Sequence, residues 1–207
     1  MSTKVTVAQN KTSKTLGMVT LILGVVMLIA GLAVYIFASG YLKDERITVS
    51  GDAAMFAGKQ VAGPFTAFAQ ADIINKHALA PAKVETLDPA ITNAEEFAAE
   101  LGDKTYAELG DINNAYKAEV AKLIEDGATA EDAAVVEAQA KADAAAAKRA
   151  TVMNGSFLRA SLFTSVVSFG VAVLVMGVGV VFGLVGYSIV KLSDGPVVET
   201  KTPVATA

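Results

Sequence analysis

Two long apolar blocks without a single charge constrain what this chain can fold into. The first, residues 17–39, reads GMVTLILGVVMLIAGLAVYIFAS and has 23 residues, and the second, residues 162–190, reads LFTSVVSFGVAVLVMGVGVVFGLVGYSIV and has 29. About 20 apolar residues cross the roughly 30 Å hydrocarbon core of a bilayer as a helix. Because only a helix satisfies its own backbone polar groups there, the sequence predicts transmembrane helices at 17–39 and 162–190.

The first block has one alternative interpretation, the core of a cleaved signal peptide. Ile36 and Ala38 resemble the small-residue pattern of a cleavage site. The apolar run is longer than the roughly 7–15 residues of a signal core, however, which favours a retained span. Even if the first block were removed, the second would anchor the protein.

The distribution of charge predicts the orientation of these spans. Three lysines without an acid lie in the tail 1–16, and Lys191 opens the tail 191–207. The segment 40–161 carries 12 Lys and Arg against 19 Asp and Glu, a net charge of −7. Because positive flanks favour the cytoplasmic side, we expect both termini in the cytoplasm, with a disordered tail at 191–207, and an extracytoplasmic domain at 40–161 of a multi-pass cell-membrane protein. The acidic domain gives no reason to expect nucleic acid or an anionic lipid surface as a partner.

Helical signals follow a short β-prone run at residues 46–50. Pro64 suits a first helical position, and Phe65, Phe68 and Ile73 recur at helical spacing, which predicts an amphipathic helix over residues 64–79. Thr92 and Glu95 form a capping-box pattern for a short helix that buries Phe97 and Leu101. Asp111 is the predicted cap of the next helix.

An alanine-rich run of high helix propensity begins at Thr129. Because helices joined by a short connection fold back on each other, residues 111–150 are predicted to form an alanine-rich helical hairpin. Asn154 and Gly155 are the expected break before the second span. The predicted fold class is an all-α membrane protein, with two transmembrane helices flanking a mostly helical extracytoplasmic domain that has a helical hairpin arm.

The residue types exclude the common catalytic constellations. His77 is the one histidine, and cysteine is absent. A catalytic metal centre usually needs three protein ligands, and no Gly-x-Ser-x-Gly elbow or phosphate-binding Gly-Lys-Ser/Thr ending occurs. We therefore predict no catalytic residue, no metal site and no cofactor, and interpret His77 as a helix-end residue or an interface contact.

Small residues repeat at seven-residue intervals along both spans, which places them on one face of each helix. Such grooves let transmembrane helices approach closely. Gly170 and Gly177 form a second small set, suited to another protein. Leucine at Gly179 or Gly183 is therefore expected to release the chain from a host complex. The predicted helix-packing residues are Gly17, Gly24, Gly31, Ala38, Ser165, Ala172, Gly179, Gly183 and Gly186.

Several segments together resemble a known protein family. These are ITVSGDA, VAGPFTAFAQADIINKHAL, GDKTYAELG and RATVMNGSFLRASLFTSVVSFGVAVLVMG. In this order they are similar to an actinobacterial family of two-span membrane proteins, often labelled "aromatic ring-opening dioxygenase". One histidine cannot build the iron site that this label requires. The alanine-rich hairpin departs from the family pattern.

The resemblance implies a role without chemistry. Small two-span accessory subunits of similar size accompany the actinobacterial respiratory supercomplex, in which a cytochrome bc-type complex joins an aa-type cytochrome oxidase. We therefore expect a non-catalytic accessory or assembly and stability subunit whose partners are the lipid bilayer and subunits of those two complexes. Phe65, Phe68, Ile73 and His77 are the expected docking residues, unless their stripe is buried within its own domain. A free-standing structural or envelope-interaction protein, homo-oligomeric in one version, remains the alternative, and an enzyme is a distant third.

Overall fold

The computed structural model describes residues 11–193, and this part of the chain is almost entirely helical. It contains α1 (Lys11–Asp44), α2 (Pro64–Leu79), α3 (Ala94–Glu100), α4 (Tyr106–Glu125) and α5 (Ala133–Ser193), with a 3₁₀ turn at Val84–Thr86 between α2 and α3. No strand forms within residues 11–193, and the extended segment near residue 48 makes only one antiparallel bridge, Thr48 to Gln60. The all-α class is confirmed. Residues 1–10 and 194–207, which hold Lys4 and most of the two predicted tails, lie outside the described part.

Two compact units share helix α5. One unit contains α1 and the part of α5 from Val167 onward, and it is called the helix pair below. The other is formed by Glu45–Val166 and is called the helical domain.

The two apolar blocks lie in α1 and α5, which have 34 and 61 residues. Both helices are long and apolar enough to cross a membrane, and only 11% and 17% of their most apolar windows are buried. A core helix of a soluble protein would be mostly buried. The predicted break at Asn154 and Gly155 is wrong, because α5 continues through both residues. Gly155 lies against α2, where an added Cβ would come within 2.7 Å of the Ala78 side chain.

Helix α2 has the bounds that the sequence predicts. Pro64 occupies its first turn, where a missing backbone N–H costs nothing. The Thr66 hydroxyl accepts hydrogen bonds from the Ala62 and Gly63 amides, at 3.1 and 3.2 Å, and thereby satisfies the chain entering the helix. The preceding segment folds back through backbone hydrogen bonds between Val49 and Lys59 and between Val61 and Ile47.

The two predicted helix caps in the middle of the chain are wrong. Helix α3 buries Phe97 and ends beside the buried Leu101 as expected, but Thr92 does not cap it. The Thr92 hydroxyl and amide instead donate to the Glu137 carboxylate of α5. Helix α4 begins at Tyr106 instead of near Asp111, because Thr105 forms a reciprocal capping box with Glu108.

The alanine-rich part of α5 packs against the rest of the helical domain. It forms a hairpin with α4, in which the buried Asn113 side chain donates to the Ala142 carbonyl at 2.7 Å. Alanines let the helix backbones approach closely, and Ala142 and Ala145 are completely buried. The core of the domain consists of Ile91, Phe97, Leu101, Leu109, Ala140, Ala145 and Val152.

Candidate helix-packing and docking site

A seam of small residues joins the two apolar helices, which run antiparallel. A Cβ placed on Gly24 would lie 2.6 Å from the Gly179 carbonyl oxygen and would also overlap the Gly183 amide. A Cβ on Gly31 would lie 2.7 Å from the Ala172 carbonyl. Because the nearest atoms are backbone atoms, no side-chain rotation could relieve these contacts. The glycine seam consists of Gly17, Gly24 and Gly31 of α1 and Ala172, Gly179 and Gly186 of α5.

The other three predicted packing residues, Gly183, Ala38 and Ser165, are not part of the glycine seam. A Cβ on Gly183 would meet no atom within 4 Å, although the Gly183 backbone itself contacts Gly24. Ala38 is partly buried, and Ser165 lies in the helical domain, where its hydroxyl donates to the Ser161 carbonyl of the preceding turn. One further contact, which the spacing of small residues did not reveal, is the edge-to-face ring pair of Tyr35 and Phe169 at 4.8 Å.

A second set of small residues on α5 is uncovered. Gly170 and Gly177 are exposed, and a Cβ on either would meet no atom within 4 Å. At about 100° per residue, they lie roughly 160° around the helix axis from the seam. Together they form a shallow notch, called the open notch below, on the far side of α5 from α1.

The predicted docking residues of α2 divide into two kinds. Phe65 and Phe68 are 74% and 49% exposed, and the Phe68 ring contacts Phe163 of α5 at a centroid distance of 6.0 Å. Ile73 is only 3% exposed and belongs to the interior of the helical domain. Only the two phenylalanines therefore present apolar surface to a partner.

His77 is occupied within its own domain. Its Nε2 lies 2.7 Å from the Asp52 carboxylate, in an exposed pair that ties the loop before α2 to the end of that helix. The hydrogen bond from His77, assisted by one from Ser50, lowers the pKa of Asp52 to about 2. His77 lies in the last turn of α2, where the helix dipole favours a positive charge.

Lys148 is a functional group that the sequence patterns did not single out. Its side chain is buried, and its ammonium donates to the Ala78 and Ala80 carbonyls at the end of α2. Burial lowers the pKa of Lys148, partly offset by the charge of Asp103. The ammonium thus replaces the hydrogen bonds that a helix C-terminus lacks. A cleft of about 540 Å³ lies beside it.

A second polar cluster connects three helices of the domain. The Lys141 ammonium lies 2.8 Å from the Glu137 carboxylate and within 6 Å of the Phe97 and Tyr116 rings. The hydrogen bond between the two charged groups lowers the pKa of Glu137 and raises that of Lys141. Burial raises the pKa of Tyr116. Each group therefore has a partner inside the domain.

The described residues bring no metal-binding cluster together. Between residues 11 and 193, no group of three His, Asp or Glu side chains is arranged to hold a metal ion. Comparison of this chain with protein-family models, curated proteins and solved structures finds no match.

Proposed function

We propose that this protein is a non-catalytic accessory subunit, or an assembly and stability factor, of a larger membrane complex. The observation that carries the proposal is that two faces of α5 differ in their packing. One face of the helix is closed against α1 through the glycine seam, while the open notch at Gly170 and Gly177 remains uncovered. Close backbone approach is what holds helices together in lipid, and the notch offers it to a second protein.

The apolar surface supports a location in the membrane. Most of the α1 and α5 windows is exposed in the isolated chain, and water would solvate such a surface poorly. The positive flanks support a multi-pass arrangement with both termini in the cytoplasm and the helical domain outside. The resemblance described above makes a cytochrome bc–aa-type oxidase supercomplex the first host to test.

The test is solubilisation of membranes in mild detergent, followed by native electrophoresis with haem staining. Co-migration of the chain with haem proteins is the expected result. Migration as a small homo-oligomer would favour the alternative of a free-standing structural or envelope-interaction protein.

Matched variants locate the contact. Gly177→Leu fills the open notch without meeting another part of the chain, and we expect it to release the protein from its host. Gly40→Leu makes the same change at an equally open helical glycine of α1, and we expect it to co-migrate normally. Retention of both Gly177→Leu and Gly170→Leu in the complex would contradict the assignment of the notch.

A further inference from the structure

The exposed phenylalanines of α2 lie beside the last turns of α5 that belong to the helical domain, since the Phe68 ring contacts Phe163. Helix α2 runs antiparallel to α5, as three contacts in order show. Phe68 meets Phe163, Ile74 and Ala78 approach Gly155, and the Ala78 carbonyl accepts from Lys148. The N-terminus of α2 therefore points toward the uncharged run of α5.

The position of Phe163 on α5 indicates the depth of these rings. Between Arg159 and Lys191 the helix carries 31 residues without a charge. At 1.5 Å per residue this run is about 46 Å long, close to the roughly 40–45 Å of a bilayer with its headgroup regions. Phe163 lies about 6 Å along the axis from Arg159, which corresponds to the interfacial zone.

Phe65 extends the same surface one helical turn further. It precedes Phe68 by three residues, so the two rings lie on one face of α2, and Phe65 reaches about 4.5 Å deeper. The same face carries Asp72 and Lys76 toward the other end of the helix, as an exposed ion pair at 3.2 Å. The face thus changes from aromatic to charged along its length, as expected of a helix that enters the interface at one end.

Arg159 adds a second observation. Its guanidinium lies 5.7 Å from the centre of the Phe163 ring. Its Nε is shielded from solvent and has no hydrogen-bond acceptor in residues 11–193. At the headgroup level of α5, long cationic side chains place their charge among the lipid phosphates while their stems cover apolar surface, and the Arg159 side chain packed against Phe163 fits that arrangement.

We propose that Phe65 and Phe68, together with Phe163 and Arg159, form an interfacial anchor that inserts into the lipid of the outer leaflet. This inference rests on the membrane location proposed above. In it, the exposed rings of α2 contact lipid instead of a protein partner. The anchor holds the N-terminal end of α2 at the membrane surface.

Tryptophan reporters test the anchor, because the full-length chain contains no tryptophan. Phe65→Trp and Phe68→Trp are made singly, and each protein is placed in nanodiscs of phosphatidylcholine brominated near the headgroup end of its acyl chains. Two control reporters are exposed in the isolated chain. Leu174→Trp lies in the middle of the apolar run, and Ile124→Trp lies at the end of α4.

The Ile124→Trp control lies far from the anchor. The hydrogen bonds from Asn113 to Ala142 and from Arg149 to Tyr106 align α4 antiparallel to α5, which puts Ile124 near the start of α5. That point is about 45 Å along the helix from Phe163. We expect blue-shifted emission from both α2 reporters, and a several-fold greater loss of fluorescence than for Ile124→Trp.

Three results would overturn the anchor. Quenching of Leu174→Trp without quenching of the α2 reporters would agree with the membrane location and contradict only the anchor. A second set of nanodiscs contains lipid brominated near the ends of the acyl chains, at the depth expected for Leu174. Absence of quenching of Leu174→Trp in these nanodiscs would contradict the membrane location, and the anchor with it. Shielding of the α2 reporters that develops only when the host complex is added would assign this face to a protein.

Discussion

The glycine seam makes a quantitative prediction about two glycines that face each other across the helix pair. A Cβ on Gly24 would lie 2.6 Å from the Gly179 carbonyl oxygen, whereas an ordinary contact needs about 3.4 Å. The helices must therefore separate locally by at least about 0.8 Å, because the Gly183 amide lies closer still. Overpacking of this kind costs typically about 1–3 kcal/mol. Gly183 is the matched control, since a Cβ there meets nothing within 4 Å.

The comparison isolates the steric effect. Both Gly24→Ala and Gly183→Ala replace glycine inside a helix, and the gain in helix propensity, about 1 kcal/mol each in water, cancels in the difference between them. We therefore expect Gly24→Ala to be less stable than Gly183→Ala by about 1–3 kcal/mol. Helix association in lipid depends on such close approach, and the loss should be seen as separation of α1 from α5.

The assay uses the absence of native cysteine. Cysteines at the exposed positions Leu16 and Leu192 lie near the same end of the helix pair and carry a donor and an acceptor dye. Titration of SDS into mild-detergent micelles, followed by energy transfer, measures the free energy of separating the helices. Equal free energies for the two variants, or a larger loss for Gly183→Ala, would refute the seam.

Three further predictions concern the helical domain, each measured by circular dichroism of the full chain in mild detergent. Thr105→Ala should destabilise the domain by about 0.5–2 kcal/mol through loss of the α4 cap, and a free energy of unfolding equal to wild type would contradict the capping box. Lys148→Met should cost about 1–3 kcal/mol, because two terminal carbonyls of α2 lose their donor; an unchanged urea midpoint would exclude that role. The pKa of Asp52 is lowered from 3.8 to about 2 in the folded state, so its small stabilising contribution is present above about pH 4 and is lost as the pH falls toward 2. Asp52→Asn breaks the ion pair with His77, so the thermal midpoint of this variant should depend less on pH over that range. A pH dependence identical to wild type would contradict the assigned contribution of Asp52.

Some features follow from local sequence alone. Two uncharged runs of 23 and 29 residues are long enough to cross a membrane whatever surrounds them, because length and lack of charge decide that property. The bounds of α2 are local as well, since Pro64 favours the first helical turn and Pro81 follows the end. The burial of Phe97 and Leu101 was also predictable from helical spacing.

Other features depend on residues far apart in the chain. The pattern Thr-x-x-Glu occurs both at Thr92 and at Thr105, yet only Thr105 caps a helix, because Glu137 of α5 captures Thr92. Asn154 and Gly155 favour a break, but packing of α2 against α5 there stabilises a continuous helix.

The same distinction applies to the candidate site. Seven-residue spacing identifies faces rich in glycine, but it does not say which glycine approaches the neighbouring backbone. Gly179 faces the Gly24 carbonyl while Gly183 remains open, and Ile73 is buried while Phe65 is exposed. The rotation of each helix about its own axis depends on contacts between residues distant in the chain, and periodicity along one helix does not contain that information.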